Sequence, residues 1–209
     1  MKIAIFGGTG RTGYLFVRQA LTEGHELKVL ARSPEKLPAH DNLQVITGSV
    51  TDTNNIEETI AGAEAVVSFL GHGKDSPRDL LTTALREVVR TMEKAHVRRL
   101  VVMSGAAVED EHDKPGTADK VIRWLMGTFA KSVLFDAREA AKIVADSNLD
   151  WTVVRAPRLT NSAGEEEVHV GYLGEKGIST QVSRADVARK ILEIVQTDTW
   201  VREMPVVSN

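Results

Sequence analysis

The stretch Gly7-Gly8-Thr9-Gly10-Arg11-Thr12-Gly13 decides the fold of this chain, because it joins an apolar run to a helical pattern. The apolar run occupies residues 2–6, and the helical pattern continues to Gly24. Glycine lets a chain turn sharply and approach a pyrophosphate, while the helix that follows directs free amides and its positive dipole end at that group. The spacing Gly-x-x-Gly-x-x-Gly differs from the standard Gly-x-Gly-x-x-Gly fingerprint. We therefore predict a dinucleotide-binding loop, with a tight structural turn as the alternative.

Short apolar runs alternate with helical patterns along the rest of the chain, which is typical of a parallel α/β sheet. Strands are expected at residues 2–6, 26–31, 43–47, 65–70, 99–104, 151–155 and 203–207. Helices are expected at 79–95 and 131–146, after Ser33-Pro34, and after the capping pattern that begins at Ser183. Several strands are apolar at consecutive positions, as strands covered on both faces should be. The expected fold class is α/β: a doubly wound, Rossmann-type parallel sheet forming one domain over residues 1–209.

The composition excludes several classes of protein. The chain has 209 residues, 42% hydrophobic and 26% charged, so one domain can bury a full core. It has no cysteine, which excludes disulfides and thiolate metal sites, and no metal is expected. A net charge of −3 predicts no attraction to nucleic acid. No apolar run approaches the roughly 20 residues of a membrane helix, and the first residues do not resemble a signal peptide. We therefore expect a cytoplasmic protein without membrane contact, either a monomer or a homodimer.

The end of the second expected strand bears on the choice of dinucleotide. A site for NAD usually has an Asp or Glu there, which holds the ribose 2′-hydroxyl. This chain has Leu30-Ala31-Arg32-Ser33 instead, and a guanidinium beside a hydroxyl suits a 2′-phosphate. Arg11, inside the glycine loop, could supply a second positive charge. We therefore predict NADP as the cofactor, with NADPH preferred over NADH; the alternative is that Arg32 is a solvated loop residue.

Six stretches, spread over most of the chain, share a pattern with a known superfamily. They are Ile3-Ala4-Ile5-Phe6-Gly7-Gly8-Thr9-Gly10-Arg11-Thr12-Gly13, Val29-Leu30-Ala31-Arg32-Ser33, Gly48-Ser49-Val50, Ala65-Val66-Val67-Ser68-Phe69-Leu70-Gly71, Val101-Val102-Met103-Ser104 and residues 146–157. With them the chain resembles the atypical short-chain dehydrogenases/reductases. Within that superfamily it is most similar to the NmrA-like proteins, biliverdin reductase B (flavin reductase) and bacterial NADH-flavin reductases.

The resemblance implies cofactor contacts at the ends of successive strands. They are Gly7, Thr9, Gly10, Arg11 and Thr12 for the pyrophosphate and adenosine end, Arg32 and Ser33 for the 2′-phosphate, Ser49 and Val50 for the adenine, Leu70 and Gly71 for the nicotinamide ribose, Ser104 beside the nicotinamide ring, and Ala156, Pro157 and Leu159 over its other side. The chain departs from its relatives at Ser49, where many have an aspartate that accepts a hydrogen bond from the adenine amine.

The proton-donating pair of ordinary short-chain dehydrogenases, Tyr-x-x-x-Lys, is not evident. The chain has two tyrosines, Tyr14 and Tyr172. Tyr172 and Lys176 have the right spacing, but they follow the sixth strand and Gly174 interrupts any helix, so we interpret the match as coincidence. A flavin or quinone needs orientation more than a dedicated acid, and water can supply its proton. The expected activity is therefore NADPH-dependent reduction of such a flat acceptor beside Ser104; the alternative is a non-catalytic regulator that senses NADP(H).

Several other positions are candidates for the acceptor side. The irregular segments 108–132 and 160–178 follow strand ends, and Trp124, Met126 and Phe129 could form a pocket wall or only pack a helix. His72 could act near the cofactor as a cation or proton donor, or could be a solvated loop residue. The charged run at 109–113 is interpreted as solvated, and Arg155 as part of a structural ion pair.

Overall fold

The structure is a computed structural model that describes residues 1–73, 75–117, 130–164, 167–197 and 199–209. Its strands are, in chain order, β1 (Lys2–Phe6), β2 (Glu26–Ala31), β3 (Leu43–Thr47), β4 (Ala65–Ser68), β5 (Arg99–Gly105), β6 (Asp150–Ala156), β7 (Arg158–Thr160), β8 (His169–Gly171), β9 (Gln181–Ser183) and β10 (Val206–Ser208). Its helices are α1 (Arg11–Thr22), α2 (Thr53–Ile60), α3 (Leu80–Lys94), α4 (Lys131–Ala145) and α5 (Arg184–Gln196). None of the helices in these ranges is long and apolar enough to cross a bilayer.

The main sheet has the strand order β3-β2-β1-β4-β5-β6-β10-β8. Strands β1 to β6 pair in parallel, which confirms the doubly wound fold. The chain order reverses at β1, so the carboxyl ends of β1 and β4 flank the point at which ligands bind in open α/β sheets. One edge departs from the expected parallel pairing, because β8 runs antiparallel to β10. Strands β7 and β9 form a separate two-stranded parallel sheet.

Two hydrophobic cores cover the two faces of the sheet. Strand β1 shows the reason for its unbroken apolar run: Ile3 and Ile5 lie in the core with α1 and α5, and Ala4 and Phe6 lie in the core with α2, α3 and α4. All four side chains are at most 1% exposed. Because β1 is fixed on both faces, the glycine loop that follows it is held at the carboxyl edge of the sheet.

Two predicted helix starts have different outcomes. Ser183 caps α5 as predicted, since its Oγ accepts a hydrogen bond from the Asp186 backbone N–H at 3.0 Å. The prediction of a helix after Ser33-Pro34 is wrong. A single 3₁₀ turn, Pro34–Lys36, forms there, and the Ser33 side chain makes no capping hydrogen bond. Pro34 fixes the first turn, but without a cap on the preceding residue nothing local sustains a longer helix.

Candidate functional site

The backbone itself requires two glycines of the loop. Gly7 has φ +80°, and a Cβ there would lie 2.7 Å from the carbonyl carbon of Phe69. A Cβ on Gly13 would overlap the Gly7 carbonyl oxygen. Gly10 differs, because its Cβ would meet only that same oxygen, at 3.2 Å, and the residue is exposed. Gly7 and Gly13 therefore shape the loop, while Gly10 leaves space above it for a ligand.

The N-terminus of α1 is arranged as an anion site. Gly10 precedes the helix and offers no side-chain cap, and the first turn contains no acidic residue. Within the described ranges, the backbone N–H groups of Arg11 and Thr12 have no acceptor in the protein. Unpaired amides at the positive end of a helix dipole suit a phosphate group. The loop therefore fits a dinucleotide pyrophosphate, and the buried side chain of Thr12 leaves its backbone as the contact.

A cavity of about 240 Å³, here named the Arg32 cavity, opens at the carboxyl ends of β1 to β4. Residues expected to hold the cofactor line it, namely Gly7, Thr9, Gly10, Arg32, Ser49, Val50, Leu70 and Gly71. Arg32 is exposed and makes no ion pair in the described part of the chain, so its charge is available to a bound anion. Ser33 is half-buried at the start of the 3₁₀ turn and is not among the lining residues.

The structure adds lining residues that the sequence did not indicate. They are Thr51, Asp75, Ser76, Pro77 and Leu80, from the loop after β3 and the approach to α3. Asp75 and Ser49 line the same cavity. A carboxylate can accept a hydrogen bond from an adenine amine. The resemblance implies an aspartate for this contact at the position where this chain has Ser49. No motif marks Asp75, because Asp75 and Ser49 are 26 residues apart and reach the same cavity only through the strand order β3-β2-β1-β4.

A second cavity of about 620 Å³, here named the Arg184 cavity, lies on the other flank of the glycine loop. It shares Thr9 and Gly10 with the Arg32 cavity. Arg11 and Arg184 line it, and so does the loop 161–163. The glycine loop therefore lies between two cavities, and Arg11 lines the Arg184 cavity but not the Arg32 cavity.

The residues expected around the nicotinamide lie on β5, at the end of β6 and at the start of β7. Ser104 faces Arg155 in the strand register, is half-buried, and makes no side-chain hydrogen bond within the described residues. Ala156 is 4% exposed and its carbonyl accepts from the Ala106 N–H, so it lies inside the sheet. Pro157 and Leu159 are half-buried and form the accessible part of this set.

A histidine–aspartate pair lies next to the Arg32 cavity. His72 Nε2 lies 2.9 Å from Oδ2 of Asp136, which is 2% exposed and belongs to α4. The Asp136 carboxylate also accepts from the backbone N–H groups of Leu81 and Thr82, at 2.8 and 3.0 Å, and from the Thr82 hydroxyl. Burial by itself raises the pKa of Asp136, but the hydrogen bonds from Thr82, Leu81 and His72 more than offset it, so the net pKa is lowered. A stable carboxylate therefore holds His72 one residue beyond Gly71, which lines the cavity.

Arg155 forms the structural ion pair that the sequence suggested. It is 0% exposed, and its two terminal nitrogens lie 2.7 and 2.8 Å from the carboxylate of Asp113. The interpretation of 109–113 as a solvated run is therefore wrong for Asp113, whose side chain is 2% exposed. The Tyr172 hydroxyl donates to Glu203, at the edge of the sheet formed by β8 and β10. This arrangement gives Tyr172 a structural partner.

The remaining candidates from the sequence lie outside the described residues or away from the Arg32 cavity. Trp124, Met126 and Phe129 lie outside the described residues, as does much of the segment 108–132. Of the segment 160–178, residues 161–163 line the Arg184 cavity, while His169–Gly171 form an edge strand. In the described part of the chain no three His, Asp or Glu side chains form a group that could hold a metal ion. A further cavity, of about 370 Å³, lies at the amino ends of β1 and β2, away from the glycine loop.

Known proteins resemble this chain along most of its length. It is 27% identical over 205 residues to a UPF0659 protein of Saccharomyces cerevisiae, which covers 92% of this chain and 86% of that protein. It is similar in structure to a short-chain dehydrogenase/reductase from Veillonella parvula in complex with NADP, with a TM-score of 0.83 and 22% identity over 100% of this chain and 94% of that one. It is also similar to ChuY, an anaerobillin reductase from Escherichia coli, with a TM-score of 0.79 and 21% identity over 100% of this chain and 97% of that one.

The structural likenesses show the Rossmann-type fold. The sequence comparison goes further, because residues 7–198 match one family over nearly the whole chain. That match includes the glycine loop, both cavities beside it and the strand ends that surround them. The chain is a member of the NAD(P)H-binding family.

Proposed function

We propose that this protein is an NADPH-dependent reductase that passes a hydride from the bound nicotinamide to a flat acceptor of the flavin or quinone class. One observation carries the proposal: an uncapped helix N-terminus, free of acidic residues, adjoins a cavity in which Arg32 makes no ion pair in the described part of the chain. This combination suits a pyrophosphate and a 2′-phosphate together.

The lining of the Arg32 cavity supports a definite orientation of the cofactor. The backbone N–H groups of Arg11 and Thr12 would hold the pyrophosphate, and Arg32 the 2′-phosphate. Ser49, Val50 and Asp75 would surround the adenine, with the carboxylate of Asp75 accepting from its amine. The dinucleotide would then cross the glycine loop, and its nicotinamide end would reach the ends of β4, β5 and β6 beyond Gly71.

The residues near the nicotinamide end support orientation of the acceptor more than proton transfer by a tyrosine. The cofactor supplies a hydride when bound. The hydroxyl of Ser104, which has no partner among the described residues, would hydrogen-bond the nicotinamide amide or the acceptor, and Pro157 and Leu159 would cover the ring. Reduction of a flavin or quinone takes up one hydride and one proton, and solvent can provide that proton. A dedicated Tyr-x-x-x-Lys pair is not required for this reaction.

The direct test is oxidation of NADPH, followed by absorbance, against a panel of flavins and quinones. We expect turnover with at least one acceptor, and none with the Gly10→Val variant, in which a side chain would occupy the pyrophosphate space. Tight binding of NADPH without turnover of any acceptor would reject the reductase proposal. That result would favour a protein that only senses the redox state of NADP(H).

A further inference from the structure

Arg184 is a buried cation at the wall of the Arg184 cavity. It is the first residue of α5 and is 8% exposed. Its Nη1 donates to the carbonyl oxygen of Thr160 at 3.0 Å and to Oδ1 of Asn161 at 2.6 Å, with a longer contact to the Leu159 carbonyl at 3.4 Å. The Nε and Nη2 groups have no partner among the described residues. Most of the hydrogen-bonding capacity of this guanidinium is therefore unused.

The guanidinium of Arg184 lies near another cation. Burial lowers the pKa of its guanidinium, and the nearby charge of Arg11 lowers it further. Arg11 and Lys36 line the same cavity, while no carboxylate in the described part of the chain forms an ion pair with Arg184. A buried charge without a counter-charge is unfavourable, and a bound anion would relieve that cost.

The position of the cavity indicates which ligand would bring the anion. The 2′-phosphate of the cofactor has its own cation in Arg32, which lines the cavity on the opposite flank of the glycine loop. Arg184 instead contacts the segment after β6, through the backbone of Leu159 and Thr160. That segment would cover the nicotinamide, so an anion bound to Arg184 would lie on the acceptor side of the cofactor.

The remaining walls of the cavity fit a ring. Tyr14, Leu15, Ala163 and Ala185 line it beside the charged groups. An aromatic side chain and small apolar side chains can cover a flat ring, while the cations and the Asn161 amide could bind an acidic group that the acceptor carries on a side chain of that ring. The cavity therefore combines an apolar wall with an anion site.

We propose that the acceptor carries a phosphate or carboxylate group and that this group binds Arg184, assisted by Arg11 and Lys36. The inference rests on the proposed function, because it names the class of acceptor that this reductase would take. It favours an acidic flavin over an uncharged flavin or quinone.

Two flavins with the same ring test the inference. Flavin mononucleotide carries a phosphate and riboflavin does not, and the binding of each to the protein saturated with NADP⁺ can be followed by flavin fluorescence. We expect the phosphorylated flavin to bind at least about tenfold more tightly, as a charge-assisted contact provides. Raising the salt concentration should reduce this preference, because the outer cations are exposed. Equal or undetectable binding of both flavins would overturn the inference.

Variants separate the acceptor from the cofactor as the source of the anion. Arg184→Gln should bring the two flavin affinities to within about threefold of each other, and Lys36→Gln, at an exposed position, should cause a smaller loss. Arg158→Gln is the matched control, because Arg158 is exposed, lies nearby on β7 and lines neither cavity. If Arg184→Gln instead weakens the binding of NADPH and NADH alike, or lowers the preference for NADPH over NADH, the anion belongs to the cofactor and the inference is overturned. Flavin binding without NADPH oxidation would reject the proposed function while leaving the anion site intact.

Discussion

Arg32 sets the expected cofactor preference at the level of a single residue. It stands where an NAD site has an acid, and it makes no ion pair in the described ranges. A charge-assisted contact with the 2′-phosphate contributes roughly 1.5–3 kcal/mol, so NADPH should bind about tenfold to a hundredfold more tightly than NADH. Calorimetry on the wild type and on Arg32→Ala measures this preference, with Arg158→Ala as the control. Equal affinities of the wild-type protein for the two cofactors would reject the assignment.

Gly10 and Gly13 should respond differently to substitution. A side chain at Gly10 meets only the Gly7 carbonyl oxygen at 3.2 Å, so Gly10→Val should fold and yet lose NADPH binding. A side chain at Gly13 overlaps the backbone of the loop, so Gly13→Ala should lower the melting temperature. Circular dichroism and calorimetry distinguish the two effects. If Gly10→Val bound NADPH as well as the wild type does, the cofactor would not lie on this loop.

Tyr172 and Ser104 can be compared by the size of their effects on turnover. The Tyr172 hydroxyl donates to Glu203, so Tyr172→Phe should leave the rate nearly unchanged. Ser104→Ala should remove one orienting hydrogen bond, about 0.5–1.5 kcal/mol of transition-state stabilisation and hence several-fold in rate. Loss of a tyrosine general acid would cost on the order of 10²–10⁴. A hundredfold loss in Tyr172→Phe, with NADPH binding intact, would therefore favour a carbonyl reductase.

At the level of elements, α3 is capped by a residue of another helix. Its own N-cap, Asp79, makes no capping hydrogen bond, whereas Asp136 of α4 accepts from the N–H groups of Leu81 and Thr82. This contact joins two helices on one face of the sheet and holds His72 beside the Arg32 cavity. A carboxylate also interacts favourably with the positive end of the α3 dipole.

The Asp136 cap predicts a pH dependence of stability. Asp136→Asn should lower the free energy of unfolding by about 2–4 kcal/mol at neutral pH, and Asp79→Asn, the control, by much less. Because the folded-state pKa of Asp136 lies below its ordinary value of 3.8, its stabilisation is complete above that value and is lost as the pH falls through the folded-state pKa. The difference between wild type and Asp136→Asn should therefore shrink only in acid. Denaturant unfolding over a pH series measures it, and a constant difference down to the lowest pH would contradict this account.

At the scale of the whole molecule, the Arg155–Asp113 pair joins parts of the chain that the sheet alone does not connect. Arg155 lies on β6 and also donates to the carbonyl oxygens of Val108 and Met204, while Asp113 accepts from the Leu173 N–H. The segment after β5, the segment after β8 and the approach to β10 therefore meet at one buried guanidinium.

Breaking this pair should be costly. Arg155→Met leaves a buried carboxylate without its partner, and we expect a loss of about 3–5 kcal/mol in the free energy of unfolding. The double variant Arg155→Met, Asp113→Leu should recover part of that loss, because no uncompensated charge remains. Chemical denaturation of the two single variants and the double variant measures the coupling. Strictly additive losses would show that the two side chains do not act as a pair.

Strands β1 to β6, the glycine loop and the doubly wound class of the fold could all be predicted from the amino-acid sequence. These features are encoded locally, because apolar periodicity, glycine and capping residues act through neighbours a few residues apart. The sequence also placed Arg32 and Ser49 at strand ends, and both line the cavity that a parallel sheet creates there.

Which charged groups meet depends on the three-dimensional fold. Asp136 lies 64 residues from His72, Arg155 lies 42 residues from Asp113, and Arg184 reaches Thr160 across 24 residues. The sequence therefore gave no sign that Asp113 is buried or that Arg184 lines a cavity. A polar side chain is buried where long-range packing provides a partner or a ligand, and that depends on strand order and register. Local periodicity does not record either, so the Arg184 cavity forms only when the loop 161–163 and α5 come together beside the glycine loop.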